Sequence, residues 1–218
     1  MNIADAASVG TPDIDDAVSA PPTGHVIEDA TAAARRVMES LLRTSRDNPN
    51  LASLRDRLHE IADLLDAHAP DLGERLVEMW AGGGSNRHDP VSGAENPIAA
   101  PFYLRGREDG SISATAILGL PYQGPPSMVH GGISALVLDH ALGCANGYAG
   151  PSGMTAELTV RYHRVTPLFE PLTVTARQVS VDGRKIRTTG ELTTSDGTVC
   201  VSAEGLFIAG HLDRPRAD

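Results

Sequence analysis

The stretch GPPSMVHGGISALVLDHALG, residues Gly124–Gly143, joins a turn-rich entry to a nearly unbroken apolar run that holds one acid, Asp139. Ile133, Ala135, Leu136, Val137, Leu138, Ala141, Leu142, Cys144 and Ala145 cover every side of a helix. A helix apolar all round is expected to be buried. An ionised carboxylate is costly to bury alone, so Asp139 there has a partner, a bound proton or a chemical task. Two plainer readings stay open: Asp139 lies at the helix's one solvent-facing spot beside His140, or it pairs with an arginine. Pro125, Pro126, Gly131 and Gly132 shape a tight entry with bare backbone. Free N–H groups at a helix N-terminus carry partial positive charge and suit an anion or a polarised carbonyl. Glycines let such a group come close, although Gly-Gly before a helix is also a common turn.

The segments on either side set the class. Tyr103 to Arg107 and Ser111 to Leu118 read as strands around the Glu108-Asp109-Gly110 turn. After the helix come Met154–His163, Leu172–Val181, Lys185–Thr194 and Thr198–Ile208, with Asp182-Gly183 and Asp196-Gly197 between the later ones. Asp-Gly between alternating runs is a strong hairpin signal. Two strands, one helix and four strands predict an α+β layout, an antiparallel sheet wrapped around one central helix.

Upstream the periodicity is helical. Ile27, Ala30, Ala34, Val37, Met38, Leu41 and Leu42 mark one amphipathic helix, from Val26 to about Arg46. Leu51, Leu54, Leu58, Ile61, Leu65 and His68 mark a second, and Leu72 to Trp80 a short third. The expected organisation is a disordered tail over 1–25, a helical N-terminal extension and linker over 26–98, a sheet-and-helix domain over 99–210, and a C-terminal tail over 211–218.

Bulk properties narrow the function. Residues 1–98 carry 17 acids against 8 bases, and the chain as a whole has a formal net charge of −10. Phosphate contacts dominate nucleic-acid affinity, so the acidic half argues against a nucleic-acid partner. No run is apolar and long enough to span a bilayer, and the N-terminus lacks the basic and apolar regions of a secretory signal. Together these predict a cytoplasmic protein. Cys144 and Cys200 lie in apolar runs and read as small buried hydrophobes. His25, His59, His68, His88, His140, His163 and His211 form no ligand-spaced cluster, so no metal is expected.

His130 and Asp139 are nine residues apart, about 13 Å along a helix. A base works within hydrogen-bond reach of its target, or through one water. Asp139 therefore cannot serve a carbonyl held at its own helix N-terminus, but it can serve one held by a second copy across a two-fold axis. A homodimer with two composite sites, or a dimer of dimers, is the expected assembly.

The segment VHGGISALVLD with the surrounding strand order resembles the hot-dog-fold acyl-CoA thioesterases, in the PaaI-like branch with an HGG motif followed by a helix acid. The resemblance covers about residues 99–210. It implies hydrolysis of acyl-CoA thioesters in fatty acid metabolism, with coenzyme A as part of the substrate and no cofactor. It also implies that Asp139 is general base or nucleophile. Gly131, or its neighbour Gly132, is then the backbone donor to the thioester carbonyl, and His130 shapes that loop. Thr155 matches a threonine that holds the attacking water in one subgroup. Gln123 stands where many relatives carry an Asn, which departs from the family pattern at the carbonyl contact. Arg161, Arg164, Arg184, Lys185 and Arg187 are a cation cluster suited to the coenzyme A phosphates, or else a charged sheet edge. A non-catalytic acyl-CoA-binding or sensing module is the alternative, because one fold hosts both roles.

Overall fold

The computed structural model describes residues 17–19, 23–75, 87–100 and 102–210. The rest of the expected tails, the remainder of the third helical piece (76–80) and the start of the linker (81–86) lie outside the described residues. Two helices come first, α1 (Val26–Arg43) and α2 (Leu51–Asp66). The sheet-and-helix unit follows as β1 (Arg105–Gly106), β2 (Ser111–Ile117), α3 (Gly131–Ala149), β3 (Met154–Tyr162), β4 (Pro171–Asp182), β5 (Lys185–Thr194) and β6 (Val199–Ile208). All six strands form one antiparallel sheet in the order β1-β2-β4-β5-β6-β3. The expected class and the order of elements along the chain hold, and the elements begin and end within a few residues of the sequence pattern.

Alternation fixes which face of the sheet meets α3. Along β5, Ile186, Thr188, Gly190 and Leu192 are buried while Lys185, Arg187 and Glu191 are exposed. Val137, Leu138, Ala141, Leu142 and Ala145 of α3 pack into that face with Ile112, Val174, Ala176, Val201 and Phe207. Leu142 needs close approach. A Cβ on Gly190 or Gly205 would lie 3.1 Å from a Leu142 methyl, so these two sheet glycines make the notch that seats the helix. The β4–β5 hairpin turns at Gly183, whose φ of 56° is open to glycine at little cost.

Two expectations about the N-terminal half change. Residues 17–19, assigned to the tail, lie alongside β1. Ala17 bridges Arg105, and the buried Ser19 hydroxyl accepts the Leu104 N–H at 2.9 Å. The stretch 87–98, read as linker, is packed together with the first residues of the domain, with Val91, Ser92, Ala94, Ala99 and Ala100 buried. Its composition gave no periodicity to read because it is held by side chains rather than by a repeating ladder. Asp89 accepts the Val91 and Ser92 N–H groups, and Arg35 of α1 donates to the carbonyls of Gly93, Ala94 and Asn96. Arg87 joins Glu28 at the start of α1 to Glu95. The segment thus buckles α1 onto the sheet-and-helix unit. By contrast, none of the α2 residues is buried.

Candidate active site

The entry to α3 is built by two loops fastened to each other. Val129 N–H donates to Thr166, and Leu168 N–H to Ser127. Gly124 is needed where the loop closes, since a Cβ there would stand 2.8 Å from the His130 Cα. Gln123, exposed, bridges Val129 across this loop. His130 is the N-cap, and its Nδ1 accepts the Gly132 N–H at 3.0 Å. The Ile133 and Ser134 N–H groups both go to the His130 carbonyl. Among the described residues the Gly131 N–H has no acceptor, so the first turn presents one free donor at its positive end. The sequence left Gly131 and Gly132 as equals; the imidazole cap separates them.

Asp139 lies two turns further on. The helix composition predicted burial on all sides. In the single chain one stripe stays open, running through Gly132, Leu136, Asp139, Gly143 and Gly147. Leu136 on that stripe is 42% exposed, an apolar residue that the sheet cannot reach because it covers only the opposite face. Asp139 is half-buried there, and its Oδ1 accepts the Thr155 hydroxyl at 3.0 Å. Thr155 is at the start of β3, so the strand brings its hydroxyl onto the helix acid.

The cations do not form one cluster. Lys185 pairs with Ile208 on β6, which pairs with Met154 at the start of β3. Arg161 is seven residues along β3 from Met154, about 23 Å at strand rise. Arg184, Lys185 and Arg187 therefore stand at the Asp139–Thr155 end of the sheet, and Arg161 and Arg164 at the Gly131 end. Linear proximity of charged runs says nothing of strand direction, and β3 runs antiparallel to β6.

Two features escaped the sequence reading. Tyr162, the last residue of β3, donates its hydroxyl to the Gly131 carbonyl at 2.9 Å; nothing in the sequence ties that aromatic to the glycine pair. The other is His140, whose Nε2 meets the Ser92 hydroxyl at 2.8 Å while Nδ1 faces Asp89 Oδ1 at 3.4 Å. Burial holds the His140 imidazole below its ordinary value of 6.5, opposed by the Asp89 and Asp139 carboxylates. Burial likewise lowers His88. A folded state that binds fewer protons than the unfolded chain is stable above the unfolded pKa and loses stability as pH falls through it. Melting temperature should therefore fall between about pH 8 and pH 5.5, and the fall should shrink by a few degrees in His140→Gln. Melting curves at the two pH values check this; an equal fall in both proteins refutes it. The neighbouring Cys144 thiol is pushed up to about 12, again by burial, which leaves it unreactive. Among the described residues no group of His, Cys, Asp and Glu is arranged to hold a metal ion, and no helix is long and apolar enough to cross a membrane.

A crystal structure of protein RHA08564, described as a thioesterase superfamily protein, is 56% identical to this chain. It superposes with a TM-score of 0.83, covering 88% of this chain and 95% of that one. The chain belongs to the thioesterase superfamily. The superfamily pattern itself matches residues 127–201, which include His130, Gly131, Asp139 and Thr155 but not Gln123. Residues 18–74 match a second family, described as "Hypothetical protein RHA1_ro05818, N-terminal helical domain". The acyl-coenzyme A thioesterase THEM4 of Bos taurus is 30% identical over 118 residues, 53% of this chain and 48% of that protein. The Xenopus laevis THEM4 is 33% identical over 90 residues, 40% of each chain. The chain thus spans about half the length, or less, of these curated relatives. Thioesterase superfamily member 2 of zebra fish shares the fold at 14% identity and a TM-score of 0.50, covering 63% of this chain and 97% of that one. The sheet wrapped around α3 is accordingly the hot-dog fold of this superfamily, with the helical unit added in front.

Proposed function

We propose that the protein hydrolyses acyl-coenzyme A thioesters at two sites, each shared between two copies of the chain. The observation that carries this reading is the division of labour along α3. A free backbone donor stands at Gly131 and a threonine-held carboxylate at Asp139, eight residues and about 12 Å away. One carbonyl cannot meet both within a single chain. Two copies related by a two-fold axis, with their α3 helices antiparallel, bring the Gly131 end of one against the Asp139 end of the other. The open stripe on α3 and the outermost strand β3, with Met154 59% exposed, are the surfaces such a pairing would cover. The same pairing would gather the divided cations. Arg161 and Arg164 of one copy would stand beside Arg184 and Lys185 of the other, a composite patch suited to the coenzyme A phosphates.

In this reading the Gly131 N–H stabilises negative charge on the thioester carbonyl oxygen. Asp139 takes a proton from a water oriented by Thr155. The water oxygen bonds to the carbonyl carbon, the carbon–sulfur bond breaks, and the proton held by Asp139 passes to the departing sulfur, which restores the carboxylate. Direct attack by the carboxylate, giving an anhydride that water then opens, is the alternative use of the same geometry. Mixing impaired subunits tests the shared site. Asp139→Asn and Gly131→Pro chains, each slowed at least about a hundredfold alone, should regain about a quarter of wild-type thiol release after co-refolding. Half the dimers are then mixed, and each mixed dimer holds one intact site of two. Activity that stays at the level of the separate variants would count against the composite site.

A further inference from the structure

Tyr162 belongs to neither the sequence motif nor the acid pair, yet it touches the one residue whose N–H is free. Its hydroxyl donates to the Gly131 carbonyl at 2.9 Å. Its ring lies against the glycine itself, since a Cβ placed on Gly131 would be 3.3 Å from a ring carbon. Tyr162 is 55% exposed, so burial of the ring in the core does not account for the arrangement. We propose that Tyr162 is a positioning residue that aims the Gly131 N–H at the reacting carbonyl. This inference rests on the thioesterase reading above.

The need for such a clamp comes from the backbone. Two consecutive glycines open α3, and glycine has the widest choice of φ and ψ. A helix that starts on Gly131-Gly132 has a soft first turn. His130 restrains it from the N–H side by capping Gly132. Tyr162 restrains it from the carbonyl side, adding a bond to an oxygen that regular helix geometry also uses for the following turn. Both bonds hold the Gly131–Gly132 peptide, one at its N–H and one at its carbonyl. The Ile133 and Ser134 N–H groups hold the carbonyl of the His130–Gly131 peptide that carries the free N–H, so Gly131 is fixed on both sides before substrate arrives. Transition-state stabilisation by a hydrogen-bond donor depends on that preorganisation, and a misplacement of about 1 Å costs as much as a hundredfold in rate. The clamp also ties the two halves of the machinery to one strand: β3 begins near Thr155, which holds Asp139, and ends at Tyr162, which holds Gly131.

The test is a double-mutant cycle read in kcat and KM for thiol release from acyl-CoA. Tyr162→Phe keeps the ring and removes the hydroxyl. Its kcat should fall about tenfold while KM stays within about twofold, because the donor acts on charge that appears only in the transition state. In a Gly131→Pro background there is no N–H to aim, so adding Tyr162→Phe should cost nothing further. A wild-type kcat in Tyr162→Phe, or the same tenfold loss in both backgrounds, overturns the positioning role while leaving the thioesterase reading intact. If instead the wild-type protein releases no thiol from acyl-CoA, the thioesterase reading itself fails and the role of Tyr162 falls with it.

Discussion

Replacing Asp139 by asparagine should lower kcat for acyl-CoA hydrolysis by at least about a thousandfold, with KM and the fold nearly unchanged. The substitution is close to isosteric, and the amide oxygen can still accept the Thr155 hydroxyl that Oδ1 accepts at 3.0 Å. Asp139 is half-buried on an open stripe and pairs with no arginine among the described residues, so neutralising it breaks no ion pair. What disappears is the only strong base or nucleophile on that stripe. General-base assistance accounts for about 10² to 10⁴ in rate, and loss of a covalent route would add to that. Thiol release by the purified variant, with a melting curve alongside, measures the effect. A variant within tenfold of wild type would remove Asp139 from the chemistry.

Deleting a single N–H is the second large effect. Gly131 is the first helical residue of α3, a position where proline fits because its N–H makes no intrahelical bond. The residue before a proline is pushed to extended backbone, and His130 is already there at φ −62° and ψ 132°. Gly131→Pro should therefore fold and lose about 10² to 10³ in kcat, the usual cost of one donor to a developing oxyanion. Gly131→Ala is the matched control. It adds the same Cβ, which meets the exposed Tyr162 ring at 3.3 Å, but it keeps the N–H. A proline variant as active as the alanine variant would show that the free donor is idle.

Much of the fold was legible because its signals are local. Strand periodicity, Asp-Gly turns and an apolar run of helical length each depend on a few neighbouring residues, and they placed β2 to β6 and α3 within a few positions. The packed segment 87–100 was not legible. It has no ladder and no repeat, and it is held by Arg35 of α1, by Arg87 reaching Glu28, and by Asp89 and Ser92 reaching His140. The candidate site divides in the same way. Asp139 was marked by being one acid in an apolar run, and the glycine pair by its place at the start of a helix. Tyr162 carried no mark, because a tyrosine near the end of a strand is ordinary until its partner is known.

The linear order of residues thus determined the fold class, the central helix with its lone carboxylate, and the glycine turn that opens it. Covalent neighbours and side-chain period are enough for each of these. Tertiary structure alone decided the rest. It brings Tyr162 from the end of β3 onto the Gly131 carbonyl. It leaves one stripe of an all-apolar helix open, and it sends the two groups of cations to opposite ends of the sheet. These outcomes depend on strand direction, register and which face a sheet can cover, and such relations arise only when distant segments meet.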